Sequence, residues 1–249
     1  MLKKFLLPLA STLLPASFGH AMSGTSPSPQ QLDVGYYEFP PYIFTDDDGS
    51  TQGLGAELVR KLLRQAGYRA ELHSLPSARL YQSLQDGSIQ VWAGAPGKPE
   101  LADSTLECAH TLGHVELNLY RLATRPAPRL PQDLVGKRII LISGYSYWRP
   151  ATELLDDPAL KLEVHRTSTH AAALQMLLRD RGDYLLDYQA PVEQARRDAG
   201  MPPLATTALF RLPLKLILSR RTPDAEQLRQ RLDHAYEELH SAGERLELN

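Results

Sequence analysis

Leu84-Gln85-Asp86-Gly87-Ser88-Ile89 and Leu178-Arg179-Asp180-Arg181-Gly182-Asp183-Tyr184 are two versions of one signal, placed in different halves of the chain. In each, a helical run ends at or near a glycine, a residue free to adopt positive φ, and an apolar strand follows within a few residues. The chain around the first copy alternates strand and helix patterns. Leu32 to Tyr36 predicts a strand, and Leu54, Leu58, Leu62 and Ala66 recur every four residues as a helix stopped by Gly67. Ala70 to Leu75 predicts a strand, Ala78 to Gln85 a short helix, and Ile89 to Ala93 the next strand. The second copy has the same surroundings. Arg138 to Ile142 and Leu162 to Arg166 predict strands, Ser168 or Thr169 caps a helix reaching Arg181, and Tyr184 to Asp187 closes the unit. Strands alternating with helices predict an α/β architecture of two βαβ lobes with largely parallel sheets.

The lobes are joined by extended segments. His110 to Arg129 runs into Pro126 and Pro128, and Ala208 to Leu218 (ALFRLPLKLIL) is extended again before a helix from Asp224 to Ala242. A chain that crosses near residue 113 and returns near 212 divides into 32–113 with 213–249 as one lobe and 114–212 as the other. Two adjacent crossover strands make a hinge, and a cleft between lobes is where small polar molecules are captured.

At the N-terminus, Lys3 and Lys4 precede an apolar stretch from Phe5 to Phe18, with small Gly19 and Ala21 before a cleavage point. This is the layout of a secretory signal peptide over residues 1–21, and the expectation is a periplasmic protein. Residues 22–31 (MSGTSPSPQQ) predict a flexible leader. The chain has 249 residues, 43% of them apolar, and 27 basic against 29 acidic side chains for a net charge of −2. A nucleic-acid binder carries a basic excess, so that class is excluded. Cys108, the single cysteine, has no disulfide partner in the chain and reads as a buried, inert thiol. No cofactor is expected. Gly53-x-Gly55 lacks a preceding strand and a third glycine, which excludes a dinucleotide fingerprint. Cys108, His110 and His114 lack a fourth metal ligand, and no Gly-x-Ser-x-Gly elbow occurs.

The run Val34-Gly35-Tyr36-Tyr37-Glu38-Phe39-Pro40-Pro41-Tyr42 resembles the opening of the type II periplasmic solute-binding proteins, family 3. Its later landmarks follow in order: Asp48-Gly49, Gly53-Leu54-Gly55-Ala56-Glu57-Leu58, Leu84 to Ile89, Asp133 to Arg138, Ser143-Gly144-Tyr145 and Gly182-Asp183-Tyr184. The resemblance spans nearly all of residues 32–247. It implies a soluble, monomeric binding protein that closes two lobes around an amino acid or related carboxylate and delivers it to a membrane permease of the ABC type. Two alternatives share the fold: a sensory co-receptor that docks on a receptor, and a cyclohexadienyl dehydratase-like lyase. Glu38, Arg79 and Asp187 would supply the lyase's groups.

The resemblance places the ligand at loops following the strands, as in open α/β sheets generally. Those loops carry Tyr37, Glu38 and Phe39 in one lobe, and Gly144, Tyr145, Ser146, Asp187 and Tyr188 in the other. Tyr36, Tyr37, Phe39 and Tyr42 alternate along an extended run, so two are expected in the core and two in the cleft. The Tyr145 and Ser146 backbone N–H groups precede a helix and would receive an anion, or Ser146 would cap that helix. Asp187 would take a ligand cation. Relatives carry an arginine after the third strand that clamps the ligand carboxylate, whereas Ala95 to Asp103 contains none. Lys98 offers a point charge there, and Arg79 in Pro76-Ser77-Ala78-Arg79 offers a bidentate fork.

Overall fold

The structure is a computed structural model that describes residues 29–248. The expected signal peptide and most of the expected leader lie outside the described residues. The chain runs β1 (Gln30–Tyr36), β2 (Phe44–Thr45), β3 (Thr51–Gln52), α1 (Leu54–Gln65), β4 (Tyr68–Ser74), α2 (Ser77–Asp86) and β5 (Val91–Gly94). It continues through β6 (Thr105–Glu107), β7 (Gly113–Arg121), β8 (Arg138–Ile142), α3 (Arg149–Asp156), β9 (Glu163–Thr167) and α4 (His170–Leu178). It ends with β10 (Tyr184–Tyr188), α5 (Gln189–Asp198), β11 (Ala205–Ser219) and α6 (Ala225–Ser241).

These elements form two α/β lobes. In the first, β1 pairs in parallel with both β4 and β5, and Leu32 and Val34 point to the face covered by α1 and α6. Helix α2 covers the other face through Leu80 and Leu84, against Trp92. In the second lobe β8 pairs in parallel with β9 and β10, and Ile140 and Leu185 meet Leu174 and Leu177 of α4. The sheets are mixed, because β7 and β11 run antiparallel to their neighbours.

Strand β11 belongs to both lobes. Ala205 to Leu214 pairs with β7, while Lys215 to Leu218 pairs with β5. The hydrogen-bonded strand order is therefore continuous, β4-β1-β5-β11-β7-β10-β8-β9, although the helices divide the core in two. A fourth apolar cluster joins the lobes across the cleft: Phe39 and Ala95 pack with Val115, Leu117, Tyr147 and Tyr188.

Two local expectations are corrected. Gly87 has φ 86 and caps α2 as expected, but its counterpart Gly182 is not in the positive region, and Asp180 (φ 56) makes that turn instead. The left-handed residue so close to Leu178 ends α4 there, short of Arg181. The role of Gly182 is close packing, since a Cβ there would stand 2.5 Å from Ile140. Thr169 is the cap of α4, its hydroxyl accepting from the Ala172 N–H. Ser146 caps nothing, because α3 begins at Arg149 after Trp148.

Candidate functional site

The loops that end β1, β5, β8 and β10 converge between the lobes. Strand β1 stops at Tyr36, and the chain folds back at once: the Phe39 N–H donates to the Ile43 carbonyl at 2.8 Å, and the Tyr42 N–H to the Phe39 carbonyl at 2.9 Å. Alternation is lost at this turn. Tyr36, Tyr37, Phe39 and Tyr42 all border one interlobe cavity, together with Trp92, Ala95, Lys98 and Tyr188; Tyr36 and Phe39 are buried, whereas Tyr37 and Tyr42 are half-buried.

The cleft is closed. Tyr37 and Tyr145 rings lie 5.6 Å apart, Phe39 and Tyr145 5.9 Å, and Phe39 and Tyr188 5.3 Å. The Ser77 N–H donates to the Gly144 carbonyl (3.3 Å), and the Tyr145 hydroxyl to the Glu38 carbonyl (2.8 Å). The rings leave only about 50 Å³ of free space in the inner cavity. One water occupies about 30 Å³, so a solute enters only when the rings part. An outer cavity of about 510 Å³ lies beside it, bordered by Glu38, Ser74, Gly144, Tyr145, Thr169 and His170.

Lys98 is the charged group of the inner cavity. It is 6% exposed, its Nζ is 3.4 Å from Ser146 Oγ across the cleft, and it lies 5.8 Å above the Tyr81 ring. Among the described residues it makes no ion pair. Burial pushes its ammonium below the ordinary lysine range, with Glu100 opposing. A buried cation without a counter-charge is costly, and an anion from outside removes that cost.

Asp187 is fully buried at the end of β10. One carboxylate oxygen accepts from the Tyr188 N–H (2.7 Å), and the other meets Nδ1 of His170 at 2.7 Å. His170 Nε2 in turn lies 3.0 Å from the Tyr145 hydroxyl. The position expected to take a ligand cation is filled by the protein's own imidazole. His170 went unnoticed in the sequence. The signal that could have found it is its place directly after the Thr169 cap, as the first residue of α4 beside the loop that follows β9.

The remaining expected residues divide. Tyr37, Phe39, Tyr145, Ser146 and Tyr188 meet in the cleft, Gly144 through its carbonyl. Glu38 is at the mouth, but its carboxylate accepts from Thr45 and Ser74 within its own lobe. Arg79 is exposed on α2, borders neither cavity and has no polar partner among the described residues. Cys108 is buried beside Leu216 in the first lobe, its thiol pushed up to about 12 chiefly by burial, which makes it inert. Asp33, Glu71 and His73, on the paired strands β1 and β4, place ligand-type atoms within 4.8 Å of one another. Their donors are already used, Asp33 by His73 and Glu71 by Gln31.

Two α/β lobes around a cleft lined from both sides define a capture protein for small molecules. The chain belongs to the bacterial extracellular solute-binding proteins, family 3, whose profile matches residues 32–249. It is a solute-binding protein of the periplasmic or extracellular space. Similar solved structures include an ancestral arginine-binding protein bound to arginine, at 19% identity and TM-score 0.72, covering 87% of this chain and 95% of that one. The arginine-bound form of a truncated ArgBP from T. maritima is 20% identical with TM-score 0.67, covering 84% and 96%. A histidine kinase sensor domain with similarity to periplasmic binding proteins is 21% identical with TM-score 0.71, covering 86% and 91%. At these identities the likeness shows the shared fold. Among the described residues no helix is long and apolar enough to cross a membrane.

Proposed function

We propose that the protein captures a small carboxylate with an apolar body between its lobes and presents it to the permease of an ABC-type importer. The observation that carries this reading is Lys98, a buried cation that makes no ion pair among the described residues, facing a cavity walled by Tyr37, Phe39, Trp92 and Tyr188. Lys98 receives the carboxylate as a point charge. Ser146 holds the same group from the second lobe, and the rings cover the remainder. The ancestral arginine-binding protein is described with arginine and also with glutamine. A carboxylate is common to both ligands, which supports it as the group recognised.

The test is a thermal-shift screen of the mature protein against amino acids, aromatic and aliphatic organic acids and polyamines, followed by calorimetric titration. A solute that binds only the folded state raises the unfolding midpoint. Carboxylates should raise it and polyamines should not. Losing a buried charge-assisted contact costs about 2–5 kcal/mol, so Lys98→Met should weaken binding at least roughly 30-fold. Stabilisation by amines alone, or equal affinity in the variant, overturns the reading.

A further inference from the structure

The hydrogen bonds around Tyr145 do not balance unless the closed cleft holds a proton that neutral imidazole and carboxylate lack. The Tyr145 hydroxyl has one hydrogen. Burial keeps it protonated, raising the tyrosine well above its usual range. The Glu38 carbonyl 2.8 Å away can only accept, so that hydrogen points across the cleft. The contact between Tyr145 and His170 Nε2 at 3.0 Å then needs its hydrogen from the ring nitrogen. The 2.7 Å contact between His170 Nδ1 and Asp187 needs another, on the nitrogen or on the carboxyl oxygen. Either way the His170–Asp187 pair carries one proton more than a neutral ring beside a carboxylate.

In an open cleft the Glu38 carbonyl is withdrawn. Tyr145 is then free to donate to Nε2, and the pair can release its extra proton without losing a hydrogen bond. We infer that lobe closure takes up one proton, held between His170 and Asp187, and that the Tyr145 bond to Glu38 is the latch this proton sets. The inference rests on the cleft being the capture site but not on the role of Lys98. Lower pH favours the closed form, by at most about tenfold per pH unit for one linked proton.

Around this pair the other titratable groups are partnered, exposed or held protonated. From the first lobe, the Glu38 carboxylate is tied to Thr45 and Ser74. From β10, Asp187 faces the ring, and burial acts to raise its carboxyl while His170 lowers it. Tyr37, Tyr147 and Tyr188 are held protonated, chiefly by burial. On α5, Glu193 pairs with Arg196, on β9, Glu163 pairs with His165 while Arg166 is exposed, and at β8, Arg138 pairs with Asp183 and Asp180.

The experiment uses the unliganded mature protein. Small-angle scattering between about pH 5 and pH 8, the range in which histidine commonly titrates, should show a smaller radius of gyration at the acid end. Tyr145→Phe and His170→Gln should both flatten this response while unfolding cooperatively. Histidine-selective nitrogen NMR, with His170 assigned by sequential connectivity, gives a second readout that needs no variant. In the contracted state the ring should be either an imidazolium or protonated at Nε2 alone. A ring protonated only at Nδ1, a wild-type radius independent of pH, or an unchanged pH response in folded variants overturns the inference. Failure of carboxylates to bind would leave all three results readable.

Discussion

An ammonium group taken out of water with only a hydroxyl 3.4 Å away destabilises the empty protein and prepares it for an anion at the same time. Lys98→Met should therefore raise the unfolding free energy of the unliganded protein, on the order of 1–3 kcal/mol, while abolishing stabilisation by carboxylates. Thermal unfolding with and without solute measures both effects. Burial lowers the Lys98 ammonium relative to the unfolded chain, so at alkaline pH the unfolded state binds more protons. Stability of the empty protein should rise with pH up to the ordinary lysine value of about 10.4, and the rise should vanish in Lys98→Met. At this scale the sequence was only partly readable. Lys98 was visible as a charge in place of the missing arginine, yet nothing in one dimension says that the Tyr81 ring and Ser146 enclose it. Arg79 looked the stronger donor because a fork outranks a point charge, and its exposure on α2 was not legible. His170 is not legible as a site residue because it opens α4 while its partner Asp187 lies on β10.

At the scale of elements, the entry into the second lobe's central strand is held by one carboxylate. Asp183 accepts from the Arg138 N–H at 2.8 Å, from Arg138 Nε at 3.2 Å and from Arg125 Nη1 at 2.5 Å. Burial alone would raise this carboxyl, but the arginine hydrogen bonds overcome it and hold the group well below the usual carboxylate range. The contact fixes β10 against β8 and ties both to the segment leaving β7. Asp183→Asn should cost about 1.5–3 kcal/mol, the worth of hydrogen bonds to a charged group. A group whose folded value is depressed contributes stability above its unfolded value of about 3.9, and that contribution disappears as the pH falls further. Denaturant unfolding should thus separate wild type from variant fully at neutral pH, with the gap only beginning to narrow below about pH 3.9 and closing only as the pH passes down through the depressed folded value. The elements themselves were legible: α1, β4, β8 and α6 lie within two residues of where periodicity puts them. The end of α4 was not, because any of Asp180, Arg181 and Gly182 could have made the turn after it.

Across the whole molecule, β7 and the long β11 are the direct connection between the lobes, and the cleft rings fill the space a solute needs. Capture must open the rings and then close over the solute. At fixed pH, scattering with a saturating carboxylate should show a radius no larger than that of the unliganded protein, with a narrower distribution of sizes. Expansion on binding would refute closure. The division into lobes can be read from the repeated helix-stop signal and the crossing near 212 from the extended run Ala208 to Leu218, whereas the sharing of β11 between β7 and β5 cannot, since a strand's own residues do not name its hydrogen-bonding neighbours. That sharing sets an order of events. The first lobe is completed by Leu216 and Leu218 of β11, Leu228 and Leu232 of α6, and Leu246 and Leu248, all near the end of the chain. The apolar cluster beneath α4 and α5 uses only residues from Tyr120 to Leu204. During translocation from the N-terminus, the lobe that emerges first must wait with its core open, and the inserted lobe is the earlier one able to fold.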